Sequence, residues 1–183
     1  MEEDNNHLSI DLDWIRTREQ INFINNLIFN SLKIKQINFS YQHHAIYDIL
    51  KREKDIKLYN IDHHHDVYYK EPRDIVNEGN WVYHLITKKC IKQYHWIKNI
   101  DSEIQFDFPP EMMANDYEYH VYDNYKFLKE INFQSISIIL TPEWTYVNLQ
   151  PLYEAYIDYF KFYKKTINII ELTRNHKGSL LRP

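Results

Sequence analysis

Apolar and polar residues alternate along the start of the chain at the period of a β-strand. In the stretch 8–14 the even positions are apolar and the odd positions are polar, which predicts a first strand there. Residues 17–20 have the S/T-x-x-E/Q form of a helix capping box, and the apolar residues behind them recur at helical spacing. A helix is therefore predicted over 17–32.

The same alternation of strand and helix patterns continues through the chain, whereas the irregular stretch 101–124, which contains two adjacent prolines, receives no element. Further strands are predicted over 34–41, 56–61, 93–97, 133–140 and 167–172, and further helices over 43–50, 80–89 and 152–163. Parallel neighbours need crossover connections, so the β-α-β-α-β order of the first 61 residues predicts a mainly parallel sheet. The expected fold class is α/β, in three α/β/α layers.

Length and composition narrow the class of protein. With 183 residues, of which 44% are hydrophobic, the chain is expected to form one domain over 1–183. The acidic residues 1–4 lack the basic start of a secretory signal, and no apolar run approaches the roughly 18–20 residues of a membrane span. The sequence therefore predicts a cytoplasmic protein without a membrane partner.

Charge and cysteine content limit the partners further. A net charge of −4 gives no general electrostatic reason to expect nucleic acid. The single cysteine, Cys90, excludes an intramolecular disulfide and a CxxC zinc site. Any bound metal must therefore use histidine and carboxylate ligands.

Candidate metal ligands follow the predicted strands at their carboxyl ends, where function gathers in parallel sheets. Asp11 and Asp13 lie two apart on the first strand, so both carboxylates project from one face. Asp62, His64 and Asp66 belong to an Asp-His-His-His-Asp segment directly after another strand, and they fall on one side if the segment stays extended. Oxygen and imidazole ligands without thiolate suit Mn²⁺, Fe²⁺ or Zn²⁺.

Each of these signals also has a plain structural explanation. Asp11 and Asp13 are compatible with a solvated strand face, and the histidine-rich segment with a surface loop that binds metal adventitiously. His43 and His44 open the second predicted helix, and because adjacent helical residues point about 100° apart, at most one of them should be a ligand. Glu143, after a later strand, could equally cap a helix or face solvent.

Taken together, the strand ends supply four carboxylates and two imidazoles. In a dry cleft, four unpaired carboxylates would repel one another by several kcal/mol. Two divalent cations about 3.5–4 Å apart would remove this repulsion, and such a pair can bridge a water molecule and convert it to hydroxide near neutral pH. The pattern therefore predicts a two-metal hydrolytic site.

Three motifs resemble those of the arginase/deacetylase superfamily. Residues 9–13 resemble its SxDxD motif, the Gln-His of 42–44 resembles the Asp-His of its GGDHS motif, and 62–66 resemble its DxHxD motif. Classical arginases carry the SxDxD strand after the other two, so the resemblance implies an arginase-like sheet with permuted motif order. The chain is most similar to small peptide arginases of ribosomal natural-product pathways, whose Asn-Trp pair, apolar helix and short strand ending in Trp resemble residues 78–97.

The resemblance implies a role for each matched residue. Six of them would hold two Mn²⁺ ions, with Fe²⁺ or Zn²⁺ as alternatives: Asp11 and Asp62 as bridges, His43 with Asp66 at one site, and His64 with Asp13 at the other. Glu143 would bind the substrate guanidinium, with Asn80 as a second substrate-binding residue. The catalytic residues would be Asp66, Glu143 and His84, although His84 could equally be a packed helix histidine.

The implied reaction is hydrolysis of peptidyl-arginine to peptidyl-ornithine and urea by a dimanganese-bridging hydroxide. The chain has few residues left for loops that enclose a free amino acid, so the expected partner is an arginine-containing precursor peptide. Two alternatives stay open. One is a deacetylase-like metal amidohydrolase, which would usually bind a single metal, and the other is a non-catalytic, metal-stabilised module that binds a cationic peptide.

Overall fold

A computed structural model describes residues 4–30, 34–68, 75–103, 118–142, 144–145, 148–163 and 168–172. The strands are β1 (Asn6–Asp11), β2 (Gln36–Ser40), β3 (Ile56–Ile61), β4 (Ile91–Ile97), β5 (Glu118–Tyr122), β6 (Ser135–Ile139) and β7 (Asn168–Leu172). The helices are α1 (Arg18–Asn30), α2 (Ala45–Leu50), α3 (Trp81–Thr87) and α4 (Gln150–Tyr163). Two short 3₁₀ segments cover Leu12–Trp14 and Lys126–Glu130.

The seven strands form one sheet in the order β5-β4-β3-β1-β6-β2-β7. Every strand pairing within the described residues is parallel, so all the carboxyl ends lie at one edge of the sheet. The strand β1 is central, because Ile10 pairs with Ile61 of β3 on one side and with Ile138 of β6 on the other. The predicted parallel sheet is confirmed.

Helices cover both faces of this sheet. The adjacent residues Leu58 and Tyr59 of β3 belong to different hydrophobic clusters, and because successive strand residues point to opposite faces, the two clusters lie on opposite sides. The helices α1 and α4 pack in the cluster of Tyr59, whereas α2 and α3 pack in that of Leu58. The protein therefore has the expected three-layer α/β/α fold. Among the described helices, none is both long and apolar enough to cross a lipid bilayer.

The first strand is shorter than its alternating pattern predicts. It ends at Asp11, and the chain continues in the 3₁₀ turn Leu12–Trp14. The turn forms because the Asp11 carboxylate accepts a hydrogen bond from the Asp13 backbone N–H, at 3.1 Å. The prediction that Asp11 and Asp13 share one face of a strand is therefore wrong, although both side chains are buried.

Helix ends and one strand also differ from the prediction. The helix α3 is shorter than the predicted 80–89, by one residue at its start and two at its end, and α1 begins at Arg18, one residue later than predicted. No element is predicted over 101–124, but the structure has the edge strand β5 in this stretch, paired in parallel with β4. Residues 104–117 lie outside the described part of the chain.

A polar stripe crosses the face of β1 opposite its apolar residues. His7, Ser9 and Asp11 point to this face, and all three are buried. His7 Nδ1 lies 2.6 Å from the Ser135 hydroxyl and Nε2 lies 2.9 Å from the Ser137 hydroxyl, both on β6. Burial lowers the pKa of His7 to about 3, so the imidazole is neutral in the fold at ordinary pH.

The depressed pKa of His7 predicts acid sensitivity of the fold. The unfolded chain protonates His7 near pH 6.5, whereas the folded chain resists protonation down to about pH 3, so stability is lost as the pH falls through this window. Between pH 7.5 and pH 5 the loss attributable to His7 is about 2 kcal/mol. Urea unfolding at both pH values should show a smaller loss for His7→Gln than for the wild type, and equal losses would contradict a neutral His7.

Candidate metal centre

One pocket of about 230 Å³ opens at the carboxyl edge of the central strands. All six of the metal ligands expected from the sequence line it: Asp11, Asp13, His43, Asp62, His64 and Asp66. Asp11 ends β1, Asp62 directly follows β3, and His43 lies between β2 and α2. The parallel sheet thus brings together side chains that are far apart in sequence.

The first possible ligand group consists of Asp11, His43 and Asp62, whose ligand atoms all lie within 4.8 Å of one another. His43 Nδ1 is 3.4 Å from Asp11 Oδ2 and 3.2 Å from Asp62 Oδ2. Asp66 Oδ2 also lies 3.2 Å from His43 Nδ1. These four buried side chains could hold one metal ion.

The second group consists of Asp13, Asp62 and His64, with ligand atoms again within 4.8 Å of one another. His64 Nδ1 lies 3.8 Å from Asp13 Oδ2. Asp13 Oδ1 is buried and has no hydrogen-bond partner among the described residues, which is the environment of an oxygen that a cation can satisfy. Because Asp62 belongs to both groups, it stands where a carboxylate could bridge two ions.

Burial and charged neighbours shift the pKa values of these four aspartates. Burial, together with the neighbouring carboxylates, raises the pKa of Asp11 and Asp66 well above the usual range. Burial likewise raises the pKa of Asp13, to about 8. Burial also opposes the charge of Asp62, but His43 overrides it and lowers the pKa of Asp62. Protons and dications therefore compete for the same oxygens.

Neighbouring side chains orient the possible ligands. Ser9 Oγ lies 2.9 Å from His43 Nε2, which leaves Nδ1 of that ring facing the carboxylates. The Thr141 hydroxyl donates to Asp11 Oδ2 at 2.7 Å, and the Trp81 indole N–H donates to Asp66 Oδ2 at 2.6 Å. Partners of this kind fix the orientation of metal ligands and strengthen their binding.

The backbone after β3 turns instead of staying extended. The Asp62 carboxylate accepts a hydrogen bond from the His64 backbone N–H at 3.0 Å, and the Trp96 indole N–H donates to the Asp62 carbonyl at 3.0 Å. Asp66 adopts a left-handed conformation, with φ of 55°, which aspartate tolerates better than most residues. The extended geometry expected for 62–66 is therefore wrong, yet Asp62, His64 and Asp66 still line one pocket.

The structure distinguishes the two adjacent histidines that open the second predicted helix. His43 is 3% exposed and faces three aspartates. His44 points elsewhere, with Nδ1 4.0 Å from Glu78 Oε1 and a side chain that is 32% exposed. Of the two residues, His43 is the one placed to bind a metal.

Two other residues singled out by the sequence do not line the described pocket. Asn80 is buried in its own loop, where its side chain accepts from the Asn77 N–H at 2.7 Å and donates to the Ile75 carbonyl at 3.0 Å. The His84 ring packs on α3 against the ring of Tyr47, with 6.1 Å between centroids. Neither residue lines the pocket, so their expected roles in substrate binding and proton transfer do not fit this geometry.

Glu143, the expected guanidinium ligand and catalytic residue, lies outside the described residues. The pocket also has lining residues that the sequence did not indicate: Tyr68, Glu78, Gly79, Thr141 and Trp144. The sequence could have indicated Thr141 and Trp144, because both follow β6 at the same carboxyl edge as Asp11.

Comparison with known proteins found no match, so the pocket is interpreted from its own residues. No family model matches the chain, and no match was found among curated proteins or solved structures. The donor set of oxygen and imidazole without sulfur suits Mn²⁺, Fe²⁺ or Zn²⁺.

The hydrogen bond from Trp81 predicts an effect on metal binding. Trp81→Phe removes the donor to Asp66 and should weaken metal affinity by about 10-fold to 100-fold. Trp14→Phe is a matched control, because Trp14 is equally buried and its indole N–H has no partner among the described residues. Manganese titration by calorimetry measures both variants, and an equal affinity for Trp81→Phe and wild type would contradict this role.

Proposed function

We propose that the protein is a metal-dependent hydrolase that converts peptidyl-arginine to peptidyl-ornithine and urea. The observation that carries the proposal is the pair of overlapping ligand groups, which share Asp62 in one pocket. The three motifs that resemble the arginase/deacetylase superfamily, together with the likeness of residues 78–97 to small peptide arginases, add the substrate class. In this proposal two Mn²⁺ ions are the cofactors.

The pocket residues fit a dinuclear centre in number and kind. Asp11, His43 and Asp62, with Asp66 beside them, would hold one ion, and Asp13, Asp62 and His64 the other. When bound, two such ions would activate a water molecule and polarise the guanidinium. The reaction consumes one water, breaks the bond between the side-chain nitrogen and the guanidinium carbon, and releases urea and a primary amine.

The chain's own residues keep this chemistry in place. Ser9, Thr141 and Trp81 hold three of the possible ligands in fixed orientations. Asp66 belongs to neither of the two tight ligand groups, so we assign it to proton transfer as well as to the first site.

The direct test is to incubate manganese-loaded protein with a synthetic arginine-containing peptide. We expect ornithine to replace arginine in the peptide, detected by mass spectrometry, together with an equal amount of urea. Chelation should stop the reaction and added Mn²⁺ should restore it. An unchanged arginine peptide under conditions in which the protein holds its metal would overturn the proposal.

Metal stoichiometry separates the proposal from a one-metal amidohydrolase of the deacetylase kind. Two overlapping ligand groups predict two ions per chain at saturation. Inductively coupled plasma mass spectrometry of protein dialysed against Mn²⁺ measures this ratio. A saturating ratio of one would contradict the dinuclear centre.

Asp13→Asn separates a hydrolase from a module that only binds a cationic peptide. The substitution removes one carboxylate from the second ligand group and should abolish urea release. A module that only binds peptide would have no turnover to lose, and its affinity for the peptide would stay the same in this variant.

A further inference from the structure

Three buried side chains of β3 and β4 contact the segment 62–66, which carries three of the possible metal ligands. Asn60, Tyr94 and Trp96 are each fully buried. Asn60 lies two residues after Leu58 on β3, so the two share a face of the sheet. Tyr94 and Trp96 pack in the hydrophobic cluster of Leu58 and therefore lie on this face too. None of the three is among the residues that line the pocket.

Tyr94 and Trp96 hold the backbone of this segment at two points. The Tyr94 hydroxyl donates to the His65 carbonyl at 2.7 Å, and the Trp96 indole N–H donates to the Asp62 carbonyl at 3.0 Å. Both donors come from β4, which pairs with β3, so the path of the segment is tied to the sheet. The backbone at Asp62 is thereby fixed, and the orientation of its carboxylate depends on further contacts.

Asn60 makes one of these further contacts. Its Nδ2 lies 3.3 Å from Asp62 Oδ2 and 3.2 Å from the Tyr94 hydroxyl oxygen, so its two N–H groups can donate one to each. Its Oδ1 is buried without a hydrogen-bond partner among the described residues. An unsatisfied buried acceptor lowers stability, and an apolar residue of the same shape would avoid this cost. Packing alone therefore does not account for an asparagine at this position.

The hydrogen bonds to Asp62 orient its two carboxylate oxygens toward different ligand groups. Oδ1 accepts from the His64 backbone N–H at 3.0 Å, and His64 belongs to the second group. Oδ2 accepts from Asn60 and lies 3.2 Å from Nδ1 of His43, which belongs to the first group. Each oxygen of an ionised carboxylate has about two acceptor positions, so each retains one for a cation. Rotation of the carboxylate would weaken both hydrogen bonds.

From these contacts we infer that Asn60 is a positioning residue, which holds the Asp62 carboxylate with one oxygen toward each ligand group. The inference rests on the dinuclear centre of the proposed function and adds to it a residue that does not line the pocket. Asn60 acts through Asp62, so its loss should weaken metal binding without removing a ligand. The number of ions per chain at saturation should therefore stay the same.

The test replaces Asn60 with leucine, which has the same branching and no N–H donor. Calorimetric titration with Mn²⁺ should show an affinity about 10-fold lower than that of the wild type, as for other residues that support metal ligands. Asn60→Ala removes the same donor with a smaller side chain and should weaken binding by a similar factor. The visible absorption of Co²⁺ depends on the geometry of its ligands, so the spectrum of the Co²⁺-loaded protein should change in both variants.

Asn38→Leu is a matched control. Asn38 is also a buried strand asparagine, its amide N–H donates to the Ser137 hydroxyl at 3.0 Å, and it does not line the pocket. Its replacement should leave the Mn²⁺ affinity and the Co²⁺ spectrum unchanged. Circular dichroism establishes that each variant is folded. All titrations are made well below the lowest Tm of the set, so that a general loss of stability does not lower the affinity.

The outcomes distinguish the positioning role from the hydrolase. An unchanged Mn²⁺ affinity and an unchanged Co²⁺ spectrum in the folded Asn60 variants would overturn the positioning role and leave the hydrolase intact. An equal loss of affinity in Asn38→Leu would also overturn it, because the effect would then not depend on the contact with Asp62. If the wild type binds Mn²⁺ but releases no urea from the arginine peptide, the hydrolase is overturned, and the titrations still test the role of Asn60. A wild type that binds neither Mn²⁺ nor Co²⁺ would overturn both.

Discussion

Replacing Asp62 with asparagine is expected to abolish loading of both metal ions and all urea release. Asp62 is 1% exposed and is the member that the two possible ligand groups share. Asparagine keeps the size of the side chain but removes the negative charge, so a bridging position between two dications is lost. Because even supporting residues around a metal change its affinity by about 10-fold to 100-fold, we expect the loss of a shared ligand to exceed 100-fold.

Metal content after dialysis and urea release measure this prediction together. Asp123→Asn is a matched control, since Asp123 is 79% exposed, pairs with Lys98, and like Lys98 does not line the pocket. It should keep both ions and full activity. Retention of two ions by Asp62→Asn would contradict the shared ligand, and circular dichroism establishes that the variant is folded.

Manganese is expected to stabilise the folded protein strongly. The pocket gathers four buried aspartates, and a dication relieves their repulsion only when the fold holds them together. At a free metal concentration of 1,000 times Kd, one occupied site adds about 4 kcal/mol to the free energy of unfolding. For a chain of this size such a gain raises Tm by roughly 8–16 °C.

Differential scanning calorimetry with and without Mn²⁺ measures this shift, and an excess of chelator should reverse it. The Asp62→Asn variant should show little shift, which would link the stabilisation to this pocket. A wild-type Tm that does not respond to Mn²⁺ at concentrations that saturate binding would contradict a metal centre built from buried carboxylates.

The sequence predicts most of the sheet because its strands are strongly apolar and clearly bounded. The strand β3 has the predicted bounds Ile56–Ile61, since apolar residues stand at both of its ends and the charged Asp62 follows it directly. Strand order cannot be predicted in the same way, because it depends on tertiary packing. The local sequence patterns of β1 and β2 do not indicate that β6 lies between them.

The candidate site is only partly predictable for a similar reason. The alternation of apolar and polar residues predicts that Asp13 lies on a strand. In the structure, its backbone N–H donates to the Asp11 carboxylate, and a turn starts there. The periodicity of apolar residues does not account for hydrogen bonds of this kind. Sequence spacing also does not show whether His43 or His44 faces the aspartates. The packing of the loop decides this, because His43 lies against Asp62 and His44 lies near Glu78. Glu78 comes from a connecting segment whose path the sequence does not specify.

The central position of β1 has a consequence for biosynthesis. The strand β1 pairs with β6, and Asp11 receives its hydrogen bond from Thr141, which is translated 130 residues later. Contacts at such separation form late, because a long loop must close first. A metal ion at this pocket would therefore be captured only after residue 141 has been translated, and a nascent chain that ends before β6 would carry the aspartates and histidines without the assembled pocket.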